Sequence, residues 1–276
     1  MPPTIHLVRH AQGHHNVSVA NEAMRDPDVT ELGREQCARL RASFPHHARL
    51  SGLASSPLRR TVQTCLEAFG PLSPSTTPTS SNPSDPSSTE EEEERKRRLL
   101  PIKLIDVLQE ISSAPCDTGS APEALTAEFG PGVVDAGAGV RQGWTDKTSG
   151  GSPFAPTLAK LVARGREARR ALRDFVAQDK DGDGHYAVTS HGGFLHFLTD
   201  DWHGIPSGSA TGWKNCEWRS YQFVNPAGDD EEARLAETPE SWRRRHGDAA
   251  PPSEAEMREL RALAHRELAP ILKYQP

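Results

Sequence analysis

The chain has 276 residues, a formal net charge of −6 and a hydrophobic fraction of 35%. This size suits one large domain or two small ones, and the hydrophobic fraction is enough for a buried core. An acidic balance without a cluster of basic and aromatic residues argues against a nucleic-acid partner. Because no apolar run reaches the roughly 18 residues of a membrane span and no signal sequence is recognisable, we expect a soluble cytoplasmic protein.

The four cysteines are widely separated and form no C-x-x-C pair, so neither a zinc site nor a disulfide framework is predicted. We expect ordinary thiols in a reducing compartment at Cys37, Cys65, Cys116 and Cys216.

Short strands and amphipathic helices alternate in the first part of the chain. The β-branched apolar run "TIHLV" predicts a buried strand that ends at Arg9. Thr30 precedes a helical pattern and can cap it. A second strand, to about Ser55, is followed by a Ser-Pro turn and by a helix whose first turn carries Arg59 and Arg60.

The composition changes abruptly at residues 70–98, which are rich in Ser, Thr and Pro, then acidic, then basic. Such a segment has little to bury, so we predict a disordered insert whose charge run is a solvated surface. The apolar run "LLPIKLIDVLQE" then predicts a strand leading to Glu110, followed by a loop from Ile111 to Gly143.

The order of strand and helix continues to about residue 224. Apolar residues at helical spacing in "TLAKLVARGREARRALRDFVAQ" predict an amphipathic helix, and "HYAVTSHGGFLHFLTDDW" predicts a strand, a glycine turn and a helix. "SYQFV" predicts a last strand at a sheet edge. Residues 226–276 are mostly polar and charged, so we predict a polar extension with one helix, around residues 254–273. This order favours an α/β fold with a mostly parallel sheet covered on both faces, in a single domain over residues 1–276.

Three strand ends carry residues that suit phosphoryl chemistry: Arg9 with His10, Arg60 with Arg59, and the segment "SHGG" at residues 190–193. The carboxyl ends of parallel strands meet at one sheet edge. Two guanidinium groups and a protonatable imidazole can hold a phosphoryl dianion without a metal. A neutral imidazole nitrogen can attack the phosphorus to form a phosphohistidine.

Four motifs, in family order, resemble the histidine phosphatase superfamily, also called phosphoglycerate mutase-like. The family motif R-H-G-x-x-x-x-N is similar to the segment from Arg9 to Asn16, and "DPDVTELG" is similar to D-x-P-L-T-x-x-G. "SSPLRRTVQT" resembles S-x-L-x-R-[AT]-x-x-T, and "SHGGFL" resembles the late S-H-G-G block. The resemblance covers roughly residues 4–66 and 100–200. It implies a three-layer α/β/α sandwich.

The resemblance implies that His10 is the phosphoryl-accepting nucleophile and that Arg9, Arg60 and His191 bind and polarise the phosphate. Asn16 would contact phosphoryl oxygens or orient His10. Family members take their general acid from a Glu or Asp after the second arginine, which here is Glu110, with Asp117 as the alternative. Further substrate contacts are predicted at Thr30, His15, Arg59 and Gly192, although Arg59 also fits a solvated helix position.

The chain departs from the family pattern at two places. Ala11 replaces the usual glycine, and we expect little loss because a methyl group is small. The mutase segment F-G-x-W-E-G is absent, and "SSAPCDTG" stands there instead. This second departure favours a phosphatase branch, because a mutase must hold two phosphorylated states of its substrate and exclude water.

The predicted function is that of a metal-independent phosphomonoester hydrolase acting on a small phosphorylated metabolite, with no cofactor and with no nucleic acid or membrane as partner. The alternatives are a phosphomutase, an acyl- or diphosphate-selective relative, and a non-catalytic phosphate-binding or protein-interaction module. A monomer and a homodimer both fit. His14 and His15 are adjacent rather than at ligand spacing, and the EF-hand-like run "DKDGDG" has Ser190 at its twelfth position, so neither predicts a metal site.

Overall fold

The computed structural model describes residues 2–71, 99–178, 184–226, 228, 230–268, 270 and 272. The predicted disordered insert, apart from its first two residues, lies outside the described residues. The aspartates of the EF-hand-like run lie outside them too. Within the described part of the chain, no helix is long and apolar enough to cross a membrane. The four cysteines are free thiols.

Seven strands form one sheet in the order β4-β3-β2-β5-β1-β6-β7. They are β1 (Thr4–Arg9), β2 (Leu50–Ser55), β3 (Ile102–Leu104), β4 (Val134–Asp135), β5 (His185–Ser190), β6 (Trp218–Phe223) and β7 (Leu235–Glu237). The five strands from β4 to β1 are parallel, and β6 and β7 are antiparallel to their neighbours. The prediction of a mostly parallel sheet is confirmed.

Helices cover both faces of the sheet. They are α1 (Glu31–Ser43), α2 (Arg59–Phe69), α3 (Pro122–Phe129), α4 (Leu158–Val176), α5 (Gly192–Thr199), α6 (Pro239–His246) and α7 (Glu254–Leu268). Two residues of β5, three positions apart, show the two sides. The Thr189 hydroxyl donates to the Thr61 carbonyl in α2, whereas the Tyr186 ring packs edge-on against Phe175 in α4. Residues of odd and even number in a strand face opposite sides, so α2 and α4 lie on opposite faces of an α/β/α sandwich.

The prediction of β6 as the last strand, at an edge, is wrong. Residues Leu235–Glu237 form β7, which pairs with β6 through Phe223 and Leu235 and takes the edge position. A run of three residues is too short to carry a periodic signal, so only the pairing identifies this strand. The extension after residue 226 is also less irregular than predicted, because it contains β7 and α6 before α7.

Two further segments differ from the prediction. The strand before Glu110 is short: β3 ends at Leu104, and a 3-10 turn at Asp106–Leu108 follows. The segment from Ile111 to Gly143 is not a simple loop, since it contains α3 and β4. The two-residue strand β4 is extended because it pairs with β3. Two residues are too few to predict a strand from sequence.

The start of α1 explains the motif "TELG". The Thr30 hydroxyl accepts a hydrogen bond from the Gly33 N–H at 3.0 Å, which is the predicted N-cap. The same hydroxyl contacts the Gln12 side-chain oxygen at 2.8 Å. A Cβ on Gly33 would lie 2.3 Å from the Gln12 carbonyl oxygen, so glycine is needed for this close approach.

Replacing Gly33 by alanine is therefore expected to lower the free energy of unfolding by about 1–3 kcal/mol, because the helix must move away from the segment after β1. Urea denaturation measures the change. Gly150→Ala is the matched control, since no atom lies within 4 Å of a Cβ there and its φ is not positive. Equal midpoints for the two variants would contradict the close packing inferred at Gly33.

Candidate active site

The register of β1 on β5 brings two histidines together. Arg9 pairs with Ser190, and the His10 N–H donates to the Ser190 carbonyl at 2.9 Å. The next residues, His10 and His191, thus leave the sheet side by side, with ring centroids 5.1 Å apart. Both are buried, at 1% and 0% exposure. Residues separated by 181 positions in the chain meet because parallel strands end at the same edge.

The hydrogen bonds of His10 determine its tautomer. Its Nδ1 lies 2.7 Å from the Ala11 carbonyl, which can only accept, so Nδ1 carries the proton. The Nε2 lone pair therefore faces Arg60, whose Nε donates to it at 3.4 Å. Burial, followed by the charges of Arg60, His15 and Arg9, holds the pKa of His10 well below its usual value. His10 is thus a neutral imidazole with an available Nε2.

Arg60 organises the centre of the site. It lies in the first turn of α2, is fully buried, and donates from Nη1 to the Cys116 carbonyl at 2.6 Å. Its Nη2 donates to Asp117 at 2.8 Å and to His191 Nδ1 at 3.0 Å. Since the guanidinium can only donate, His191 Nδ1 is an acceptor, and His191 Nε2 carries a proton that it donates to the Ser56 hydroxyl at 2.9 Å.

Polar atoms without partners surround His10. Among the described residues, Arg9 Nε and His15 Nδ1 are buried and make no hydrogen bond, although the Arg9 Nη1 donates to the Trp213 carbonyl. The His15 ring lies 5.4 Å from the His10 ring. Arg9 Nε lies next to Gly192, since a Cβ added at Gly192 would be only 3.0 Å from it. The unpartnered Arg9 Nε–H and the nearby Arg60 guanidinium form a suitable environment for an oxyanion.

Glu110 is held at the N-terminus of α5. Its Oε1 accepts from the N–H groups of Ile111 at 2.9 Å and Phe194 at 3.0 Å, and its Oε2 accepts from Gly193 at 3.3 Å. Burial is the main cause of a raised pKa for Glu110, and the negative charge of Asp117 acts in the same direction. These effects exceed the stabilisation of the carboxylate by N–H groups and by Arg60. The structure thus gives Glu110 the property that a proton donor requires.

Asp117 has the opposite property. Its Oδ1 accepts from Arg60 and its Oδ2 accepts from the Ser112 hydroxyl at 2.5 Å. Burial opposes ionisation of Asp117, but the charges of Arg60 and Lys147 outweigh it, and the pKa of Asp117 is lowered. An ionised carboxylate paired with Arg60 is a poor proton donor. Of the two acids that the sequence left open, the environment favours Glu110.

Two buried cations behind Glu110 were not among the predicted residues. Lys147 Nζ donates to the carbonyls of Glu110 at 3.1 Å and Ser112 at 3.0 Å, and burial lowers its pKa to about 7. Arg164 Nη2 donates to the carbonyls of Gln109 at 3.0 Å and Glu110 at 3.2 Å. Both side chains hold the backbone that carries Glu110. The available signal for Arg164 was a charged residue on the apolar face of an amphipathic helix.

The predicted substrate contacts occupy different places. Thr30 caps α1, and the Asn16 side chain accepts from the Gly13 N–H at 3.1 Å. Arg59 forms ion pairs with Asp28 at 3.0 Å and Glu128 at 2.8 Å. Gly192 and His15 lie beside Arg9 and His10, as described above. Contact of these five residues with substrate stays a prediction, and the ion pairs of Arg59 account for its side chain without a ligand.

Ala11, the departure from the family glycine, is accommodated. Its side chain is fully buried, and its N–H donates to the Thr64 hydroxyl at 3.0 Å. The Asn215 side chain donates to the carbonyl of His10 at 2.9 Å, so the peptide group that follows His10 is anchored at both its C=O and its N–H. Asn215 carried no signal in the sequence, since it reaches the site from the segment between α5 and β6.

The structure is similar to solved structures of low sequence identity. The phosphoserine phosphatase of Entamoeba histolytica, solved as a mutant with phosphoserine, aligns with a TM-score of 0.46 at 14% identity, covering 86% of this chain and 95% of that chain. A mycobacterial glucosyl-3-phosphoglycerate phosphatase solved with VO3 aligns with a TM-score of 0.45 at 17% identity, covering 85% and 96%.

Sequence comparison points to one family. The model of the histidine phosphatase superfamily, branch 1, matches residues 5–79, which contain Arg9, His10 and Arg60. A phosphoglycerate mutase-like protein of Arabidopsis thaliana is 28% identical over 253 residues, covering 80% of this chain and 84% of the relative. Phosphoglycerate mutase-like protein 1 of the same plant is 40% identical over 77 residues, covering 24% of this chain and 27% of the relative. Residues 5–79 of the chain are therefore similar to the histidine phosphatase superfamily, and most of the chain is similar to a phosphoglycerate mutase-like protein.

Proposed function

We propose that this protein is a phosphomonoester hydrolase that forms a phosphohistidine at His10. The observation that carries the proposal is the state of two side chains: His10 is neutral with its Nε2 lone pair towards Arg60, and Glu110 has a raised pKa. A nucleophile and a proton donor are thereby present together. The superfamily supports a phosphatase or mutase type of activity.

The first step forms a bond between His10 Nε2 and the substrate phosphorus, and the bond from phosphorus to the leaving oxygen breaks. Arg9 and Arg60 stabilise charge on the phosphoryl oxygens, and Glu110 transfers its proton to the leaving alcohol. His191 lies beside Arg60, where a bound dianion would favour its protonated form and a further hydrogen bond. No metal is required for these steps, because guanidinium groups supply the positive charge.

The second step hydrolyses the phosphohistidine. Glu110, now ionised, accepts a proton from a water molecule, whose oxygen attacks the phosphorus, and the bond to His10 Nε2 breaks with release of inorganic phosphate. Glu110 regains its proton, so the cycle closes. A mutase would instead return the phosphoryl group to its substrate, and the absence of the mutase segment after Glu110 supports transfer to water.

Hydrolysis of p-nitrophenyl phosphate in excess chelator tests the proposal, followed by a panel of phosphorylated metabolites. We expect turnover that chelation does not change, with release of one inorganic phosphate per product. Interconversion of 2- and 3-phosphoglycerate without net phosphate release would establish a mutase instead. A folded protein that neither hydrolyses any of these substrates nor becomes labelled would favour a phosphate-binding module.

A further inference from the structure

Three histidines cluster away from the carboxyl ends of β1 and β5, where His10 and His191 lie. His6 lies in the middle of β1, His185 is the first residue of β5, and His46 lies between α1 and β2. One potential ligand nitrogen from each lies within 4.8 Å of those of the other two. His6 and His185 are buried, and His46 is half-buried and accessible from solvent. His6 is four residues before His10, about 13 Å along a strand, so this cluster is separate from the active site.

Two imidazoles of this cluster, those of His6 and His46, have lowered pKa values. The pKa of His6 is lowered to about 2, mainly by burial and further by electrostatic interaction with His185 and His46. Burial also lowers the pKa of His46. Both rings are therefore neutral at physiological pH and keep a lone pair on one nitrogen.

The surroundings of His6 resemble the outer hydrogen bonding of metal-binding histidines. Its Nδ1 lies 2.9 Å from the Ser220 hydroxyl, and its Nε2 lies 2.8 Å from His185 Nδ1. With the proton on Nδ1, His6 donates to Ser220, and its Nε2 accepts a hydrogen bond from the His185 Nδ1–H. A metal ion would take the place of this shared proton, with His185 carrying its proton on Nε2 instead. A ligating histidine commonly donates its other N–H to such a partner, which fixes the ring. The two nitrogens are close enough to share one ion once the rings separate slightly from their hydrogen-bonded distance of 2.8 Å.

The ligand type and the local charge select the class of ion. Three imidazoles without a carboxylate suit late transition metals such as Zn²⁺, whereas Ca²⁺ and Mg²⁺ require oxygen ligands. Arg49 and Arg244 act electrostatically on His6, so a bound dication must gain its free energy from strong metal–nitrogen bonds. Bonds of about 2.0–2.1 Å put nitrogens of a tetrahedral site about 3.4 Å apart. His46 lies half-buried on a connecting segment, where its ring can rotate to bring its nitrogen closer to the other two.

We propose that His6, His46 and His185 bind one divalent late transition metal ion, tested with Zn²⁺, which links β1, β5 and the segment between α1 and β2. A fourth ligand from water fits the accessible side of His46. The ion would stabilise the fold rather than take part in phosphoryl transfer, because the cluster is remote from His10.

Zinc content and thermal stability test this proposal on untagged, chelator-treated full-length protein. We expect wild type to bind one more equivalent of Zn²⁺ than His46→Ala. Any zinc held by the catalytic histidines or by thiols is the same in both proteins, so it cancels in this difference. His47→Ala is the matched control, because the neighbouring His47 bonds to the Arg41 carbonyl and is outside the cluster. At a hundredfold excess of zinc over its dissociation constant, melting should rise by about 5 °C in wild type and His47→Ala.

The proposal is overturned if wild type and His46→Ala bind equal amounts of zinc, or if zinc raises their melting temperatures equally. Inorganic phosphate could instead stabilise wild type but not His46→Ala, while zinc has no effect on either. That result would show that the cluster binds an anion together with Arg49 and Arg244. Phosphatase activity in chelator should be the same in wild type and His46→Ala. That comparison keeps failure of this proposal distinct from failure of the phosphatase assignment.

Discussion

Replacing His10 by alanine should lower the rate of p-nitrophenyl phosphate hydrolysis by about 10⁴-fold or more, because the group that accepts the phosphoryl moiety is removed. The structure supports this expectation, since His10 Nε2 is the unprotonated nitrogen next to Arg60. Wild type quenched during turnover of a ³²P-labelled substrate should carry a label that survives alkali and is released by acid. His10→Ala should carry none.

His14→Ala is the matched control for this experiment. His14 belongs to the same run of histidines but is exposed, so its loss should change hydrolysis less than threefold. Circular dichroism and thermal melting establish that both variants are folded. Retention of a tenth of the activity, or of the acid-labile label, by His10→Ala would exclude a phosphohistidine at this residue and move the proposal to another nucleophile.

Replacing Glu110 by glutamine should lower kcat by about 10²–10⁴-fold, because glutamine neither donates a proton to the leaving oxygen nor activates water. The loss should be larger with alkyl phosphates than with p-nitrophenyl phosphate, whose leaving group needs little protonation. The variant should still become labelled at His10 and should release its label slowly. Glutamine preserves the size of the side chain, so the N–H groups at the start of α5 keep an acceptor.

The exposed Glu123→Gln in α3 is the control and should behave as wild type. Equal losses in Asp117→Asn and Glu110→Gln on every substrate would not by themselves distinguish an acid from a partner of Arg60. The dependence of the loss on the leaving group does so. If Asp117→Asn shows the larger loss with alkyl phosphates and Glu110→Gln shows none, Asp117 is the proton donor.

The pH profile follows from the directions of two pKa shifts. The lowered pKa of His10 keeps its imidazole neutral until the pH falls well below 6.5, and the raised pKa of Glu110 keeps its carboxyl protonated above 4.5. The reactive forms therefore coexist between the pKa of His10 and the pKa of Glu110, where kcat/KM should be greatest. Activity should fall as the pH rises through the pKa of Glu110. Measured profiles should lose this alkaline decline in Glu110→Gln, and a decline that persists there would assign it to another group.

The chemistry of the site could be predicted from local sequence. Arg9 and His10 follow a short apolar run, and Arg60 begins a helix after the next strand, so periodicity and composition alone placed these side chains at strand ends. The cap at Thr30 and the alternation of strand and helix were likewise local properties. Motif order then added Glu110 and His191, which lie in separate segments of the chain.

The protonation states and the choice between Glu110 and Asp117 needed the tertiary structure. Both acids follow Arg60 in the chain, and no local pattern separates them. They differ because Asp117 contacts the Arg60 guanidinium, whereas Glu110 lies half-buried at the start of α5 and close to the negative charge of Asp117. Lys147 and Arg164 were missed for the same reason, since each acts on the backbone of residues more than 30 positions away.

The strand β7 and the histidine cluster show the same division in the rest of the fold. β7 is a strand only because β6 offers it an edge, and His6 meets His185 only because β1 and β5 are paired in parallel. The sequence by itself determined which residues could form strands, helices and a phosphoryl site, since those depend on near neighbours. Strand pairing decided which of them meet and which protons they hold, because contacts and burial arise between residues far apart in the chain.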